Sequence, residues 1–195
     1  PSPYDQYGTF KSSSFTPCNE PGLADCAKIV REIAAEKKLP LIELHPAMTR
    51  LLKKYPEMQL CGRDRIHRGH LVMASLLLEA LGESPEVGSI LIDAKAKKAA
   101  GAKVENLAFG EEGGSFCYFP RALPWPVDSD YLAVDKIHPL TSRLNLEMLR
   151  VTGLAPGRYT LSADGRELGS FTGEELAKGV NLALLDTPSA RRAKR

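Results

Sequence analysis

The chain has 195 residues, 43% hydrophobic and 26% charged, enough apolar material to bury the core of one large domain or two small ones. Its formal net charge of +2 includes four positive charges in the last five residues, so the body is weakly acidic and no nucleic-acid partner is expected. The longest apolar run, residues 71–81, is broken by Ser75 and Glu79 and is too short to span a bilayer; Cys18, Cys26, Cys61 and Cys117 show neither CxxC nor Cys/His zinc spacing.

Pro1-Ser2-Pro3-Tyr4-Asp5 is expected to be extended or turn-like, because the prolines fix φ and restrict their predecessors. The chain opens at Pro1 without an initiator Met, so an absent leader does not decide the compartment. Cys18 and Cys26 fit a disulfide in an oxidising compartment, and buried free thiols fit them equally well. From Gly22 to Lys38, Leu23, Cys26, Ile29, Val30 and Ile33 recur at helical spacing and predict a one-faced amphipathic helix. Leu39-Pro40-Leu41-Ile42-Glu43-Leu44 reads as a short buried strand. His45-Pro46 then turns into a helix over 47–54, which Pro56 ends. A further helix over 69–81 is apolar around most of its circumference and is expected to be buried. Helix, strand, helix, loop and helix make a piece of an α/β layered domain.

Past Gly82 the texture changes to short strand-like runs at 87–92, 104–109, 115–119, 147–151 and 158–162. Asp164-Gly165 between two such runs predicts a tight hairpin, and Thr172-Gly173-Glu174-Glu175 is a capping box for a short helix ending near Gly179. The organisation expected is therefore residues 1–84 as an α/β portion and residues 85–195 as a β-rich extension. There are no internal repeats.

Asp64 and His67 stand three residues apart ahead of the apolar helix. A carboxylate there can hold an imidazole in one tautomer, leaving the other ring nitrogen free to take a proton from a serine hydroxyl. An Asp and a His at this spacing are also neighbours on any helix or turn, which is an ordinary structural pattern. Asp64-x-x-His67 followed by Gly69-His70-Leu71-x-Met73-Ala74 resembles the last conserved block of the SGNH (GDSL-type) hydrolases. Pro1–Asp5 resembles the end of the strand that follows that family's third block. The C-terminal region is similar to an extension found on one group of such proteins, through Leu123-Pro124-x-Pro126-Val127, Thr152-Gly153-Leu154-x-x-Gly157-x-Tyr159-x-Leu161 and Gly179-Val180-Asn181-Leu182-Ala183.

The resemblance implies the C-terminal part of a three-layer α/β/α, flavodoxin-like hydrolase domain plus a small β-rich appendage. It implies His67 as general base and Asp64 as the residue that orients it. The family's nucleophilic serine follows Gly-Asp, and no serine here does; nor is there a Gly-x-Ser-x-Gly elbow. Gly179-Val180-Asn181-Leu182 mimics the family's oxyanion-hole Asn block but lacks its second acidic residue and fits the extension better. Only Arg68 separates His67 from Gly69, a shorter connection than the family has. That connection is expected to draw His67 into the first helical turn and makes His70 a competitor for the role.

The function implied is a serine ester hydrolase acting on small-molecule or carbohydrate acyl esters, acetyl esters among them, with no metal or organic cofactor. The serine and oxyanion donors are expected on an N-terminal half, on the same precursor or a separate chain, and this chain alone is expected to be inactive. The alternative is a non-catalytic fragment or binding module descended from such a hydrolase. Elsewhere the ordinary reading is preferred. His45 and His138 precede prolines and read as loop residues, and Arg63 and Arg65 as solvated or ion-paired, with an acidic substrate group as the alternative. Trp125, Tyr118 and Phe119 read as aromatic burial, with sugar stacking as the alternative. Glu111-Glu112 reads as an exposed turn, with a metal as the alternative.

Overall fold

The amphipathic stretch after Gly22 forms α1, Glu20–Lys37, in a computed structural model that describes residues 20–61, 66–110 and 113–194. The helix ends where Lys38 takes a left-handed backbone (φ 52°) and the Leu39 N–H closes onto the Ala34 carbonyl at 2.8 Å. Such a closure satisfies a carbonyl that the helix itself leaves without a partner. The strand expected over 39–44 is not formed. Residues 39–43 are irregular and Leu44 already opens α2, Leu44–Lys54. A strand exists only if a neighbour takes its N–H and C=O groups, and no described strand pairs with this segment. α2 thus starts ahead of the expected Ala47, and Pro46 fits because proline is tolerated in a first helical turn. Pro56 opens a 3₁₀ turn, Pro56–Met58, and α3 follows over Ile66–Ala80.

Contacts divide the chain into two compact units, residues 1–83 with 128–140, and residues 84–127 with 141–195. In the first unit α4, Ser129–Asp135, joins α1, α2 and α3; it has no counterpart among the expected elements. Asp128 caps it by accepting the Tyr131 N–H at 2.8 Å. Met48, Leu52, Leu60, Val72, Tyr131 and Val134 are buried in this unit. α3 is less enclosed than its composition suggests, since Leu77 stays exposed.

In the second unit the strands are β1 (Glu86–Asp93), β2 (Lys98–Gly101), β3 (Lys103–Phe109), β4 (Gly114–Phe119), β5 (Leu146–Thr152), β6 (Arg158–Ala163), β7 (Arg166–Thr172) and β8 (Val180–Asn181). β1 and β5 run parallel, β2 and β8 flank them antiparallel, and the mixed sheet has the order β2-β1-β5-β8. β3–β4 and β6–β7 are separate hairpins. Ile90 and Ile92 of β1 and Leu149 and Val151 of β5 alternate inward and form one cluster with Leu176, Val180 and Leu182. The architecture is mixed α/β, with α5 (Leu140–Leu144), α6 (Gly173–Lys178) and α7 (Pro188–Ala193) completing it.

The hairpin and capping signals are realised as expected. Asp164 (φ 50°) and Gly165 (φ 76°) both take positive φ, the geometry that a two-residue turn needs to match strand twist. The Thr172 hydroxyl accepts the Glu175 N–H at 3.1 Å, and the Glu175 carboxylate accepts the Thr172 N–H at 2.7 Å. Among the described residues no helix is long and apolar enough to cross a membrane. Thr172→Ala removes half of the reciprocal cap and is expected to cost about 1 kcal/mol, read as a lower urea midpoint at unchanged slope.

Candidate active site

His67 lies in the first turn of α3, exposed, as the short connection to Gly69 leads one to expect. Asp64 lies outside the described residues, as do Pro1–Asp5, Cys18, Arg63, Arg65, Glu111 and Glu112. The turn that carries His67 is held from two sides. Gly69 is buried, and a Cβ built on it would stand 1.8 Å from the Leu60 carbonyl oxygen, so only glycine lets the helix approach this closely. Arg68 donates from Nε to Asp130 Oδ1 of α4 at 2.8 Å, with only 12% of its side chain exposed. A charge-assisted bond shielded in this way holds its geometry better than a surface ion pair does. His70 is exposed one turn along the helix. The described part of the site is thus an accessible imidazole on an immobilised helical turn. Nothing in the sequence reading pointed to Asp130 as a support.

Two buried polar clusters were not anticipated. His138 is not an ordinary loop residue: it is buried, and its Nε2 is hydrogen-bonded to the Ser75 hydroxyl of α3. A serine beside a histidine invites comparison with a nucleophile and its base. Here Ser75 is fully buried and its hydroxyl is also within 3.1 Å of the Val72 carbonyl. A nucleophile must reach substrate, so this pair acts as an internal tie between α3 and the turn after α4. His138-Pro139 reads as a loop in sequence, and the contact partner is too remote in sequence to be anticipated.

The second cluster lies in the other unit. Glu147 is 1% exposed, in phase with the core-facing Leu149 and Val151 of β5. That phase is a sequence signal, an acid on an otherwise apolar alternation. Tyr118 donates its hydroxyl to Glu147 Oε1 at 2.9 Å, while Glu147 Oε2 has no hydrogen-bond partner among the described residues. Gly88 makes room for this contact, since a Cβ there would stand 2.6 Å from the Tyr118 hydroxyl. Desolvation raises the Glu147 carboxyl above its ordinary value, opposed by the Tyr118 hydrogen bond. Desolvation, together with the neighbouring Glu147, also raises the Tyr118 phenol.

Asn181 accepts the Glu147 N–H at 2.9 Å and the Ala183 N–H at 3.2 Å, and donates to the Asn145 carbonyl at 2.9 Å. Both the oxygen and the nitrogen of its amide are thus engaged in the fold. Asn145 bonds the Trp125 backbone in both directions. Aromatic burial was expected for Trp125, Tyr118 and Phe119. Phe119 is instead 45% exposed, with the Lys103 ammonium 4.8 Å from its ring centroid. Among the described residues no group of three or more His, Cys, Asp or Glu is placed to hold a metal ion.

No family model matches the chain, and no curated protein matches it. Among solved structures it is similar to a gut microbial diltiazem-metabolizing enzyme, with 31% sequence identity and a TM-score of 0.84. The match covers 100% of this chain and 48% of that one, so the chain spans about half the length of the enzyme it matches. Over its whole length, then, this chain has the fold of part of an enzyme.

Two outcomes are expected. Because Glu147 titrates at a higher pH in the folded state than its ordinary 4.5, the unfolded chain ionises first as pH rises. Stability is therefore expected to fall as pH increases from about 4.5 through the raised folded value, and Glu147→Gln to flatten that slope in urea titrations. Ser75→Ala should lower stability by about 1–3 kcal/mol by removing a partner from a buried imidazole. It should leave any serine-directed labelling of an assembled enzyme unchanged; lost labelling with intact folding would make Ser75 the nucleophile.

Proposed function

We propose that this chain is the C-terminal portion of a serine ester hydrolase of the SGNH (GDSL) type, with His67 as general base and Asp64 as its orienting carboxylate. The observation that carries the reading is the accessible His67 on a turn fixed by the Gly69–Leu60 contact and the Arg68–Asp130 pair, inside the Asp64-x-x-His67 block. A general base needs both properties, since its proton transfers demand substrate access and a fixed approach. Similarity along the whole of this chain to part of a diltiazem-metabolizing enzyme supports an enzymatic, hydrolytic reading.

In this reading residues 1–84, joined by the returning residues 128–140, complete a three-layer α/β/α domain, and the β-rich remainder is its extension. An N-terminal half, on the same precursor or a separate chain, supplies the serine and the oxyanion donors. The serine oxygen attacks the acyl carbon as His67 takes its proton, and His67 returns that proton to the departing alcohol. Water then attacks the acyl-enzyme, giving a proton to His67, and the acid leaves as the serine is reprotonated. Small acyl esters, including acetyl groups on carbohydrate, are the substrate class, and none of these steps uses a metal or organic cofactor.

The test is hydrolysis of p-nitrophenyl acetate and labelling by a fluorophosphonate probe, with the chain alone and joined to a half bearing the Gly-Asp-Ser block. The chain alone should take no label. In the joined protein His67→Ala should lower kcat by about a thousand-fold or more with little change in KM, while His70→Ala stays within a few-fold of the parent. Parent-like hydrolysis by His67→Ala would sink the assignment.

A further inference from the structure

We propose that Tyr118 and Glu147 form a pH-sensitive latch between the β3–β4 hairpin and the mixed sheet. The latch is closed while the Glu147 carboxyl keeps its proton and opens when the proton is lost. The hairpin is built to move as a unit. Among the described residues β3 and β4 pair only with each other, and no backbone ladder ties them to the β2-β1-β5-β8 sheet. None of the described hairpin residues is fully buried, and Val104, Leu107, Phe109, Phe116 and Tyr118 rest half-buried on the core cluster. Two further side-chain bonds, Asn106 to Cys117 and Lys103 to Glu105, stay within the hairpin. Among the described residues, the Tyr118 hydroxyl on Glu147 is therefore the one hydrogen bond that joins the hairpin to the sheet.

The acceptor of that bond is an acid placed where a charge is costly. Glu147 lies on β5 in phase with Leu149 and Val151 and is 1% exposed. β4 brings Tyr118 to it, and β1 brings Gly88. β8 brings Asn181, whose side-chain oxygen takes the Glu147 N–H and leaves the carboxyl alone. Among the described residues no group donates to Oε2. The charges of the surrounding strands lie elsewhere. Lys103 and Glu105 pair with each other at 2.7 Å on exposed positions of β3, and Glu86 at the start of β1 is exposed. Arg150 falls on the opposite phase of β5. An ionised Glu147 thus has one phenolic donor and no cation facing it.

Loss of the proton either leaves that charge in the core or lets water reach it. Lifting one hairpin gives water access and leaves the β1–β5 pairing in place. A two-stranded hairpin away from its support is marginal in water, so its own ladder opens as it lifts. In the closed form burial holds the Glu147 carboxyl above its ordinary 4.5, and in the open form it returns toward that value. By linkage, the opening constant rises up to about ten-fold per pH unit from 4.5 upward and levels off at the raised value. This device is independent of the chemistry assigned to His67.

The test is amide hydrogen exchange on the full chain from about pH 4 to about pH 8, corrected for intrinsic exchange rates. The β3–β4 ladder amides should open at least about ten-fold more readily than those of β1–β5, and increasingly so as pH rises from the acid end. Glu147→Gln keeps the shape of the side chain and cannot ionise, so it should make hairpin opening independent of pH. Tyr118→Phe should raise opening about five-fold at the acid end by removing the bond. It should also carry the rise to higher pH, because that bond opposes the upward shift of Glu147. Where Glu147→Gln does not fold, the Tyr118→Phe series decides. Hairpin amides that open only together with β1 and β5 would overturn the latch, as would pH-independent opening in the parent. So would a pH slope that survives in Glu147→Gln, or a Tyr118→Phe profile indistinguishable from the parent's.

Discussion

Extended backbone cannot satisfy itself, and that constraint decides which strand-like segments of this chain become sheet. A helix closes its own N–H to C=O bonds, whereas a strand depends on another strand at the right distance and register. Residues 87–92 and 39–44 carry comparable signals, short runs rich in Leu, Ile and Val. The first becomes β1 because β5 arrives in parallel beside it, setting Ile90 against Leu149 and Ile92 against Val151. The second has no such neighbour among the described residues and is irregular. Much of the second unit depends on the β1–β5 pair. β2 and β8 extend it, α6 packs on β5, and the core cluster forms over its inward residues.

Buried polar groups in this protein serve the fold, and accessibility separates them from the candidate catalytic group. Ser75 with His138, and Glu147 with Tyr118, have the chemical character of an active site, but Ser75, His138 and Glu147 are buried and Tyr118 is half-buried. Their hydrogen bonds specify how helix meets turn and how hairpin meets sheet. His67 shows the reverse pattern, with an exposed imidazole on a turn whose neighbours Arg68 and Gly69 are packed against Asp130 and Leu60. The Gly69–Leu60 approach fixes the position of that turn, and Arg68–Asp130 fixes its rotation.

What could be read from sequence were the elements whose signals are local. The capping box at Thr172–Glu175 and the Asp164-Gly165 turn depend on residues within a few positions of one another, and both stand as expected. The helical periodicity after Gly22 located α1 to within a few residues, yet not which part of its stripe is covered, because burial depends on what lies opposite. α4 escaped notice because Ser129–Asp135 follows a proline-rich stretch and is only two turns long. Asp130, Ser75 and His138 acquire their roles from partners about sixty residues away. No pattern along the chain reports such a pairing. Glu147 was the exception, a long-range role visible locally as an acid in an apolar alternation.

The return of residues 128–140 to the first unit has a consequence for modularity. The chain passes between the units three times, after Glu83, after Val127 and after Leu140. Cleavage or a premature stop at the start of the β-rich region would not release an intact helical unit. It would strip away Tyr131 and Val134 from its interior, the Asp130 carboxylate from Arg68, and His138 from Ser75. Neither unit is a bead on a string. Recombination at a single chain position would therefore not separate one whole unit from the other.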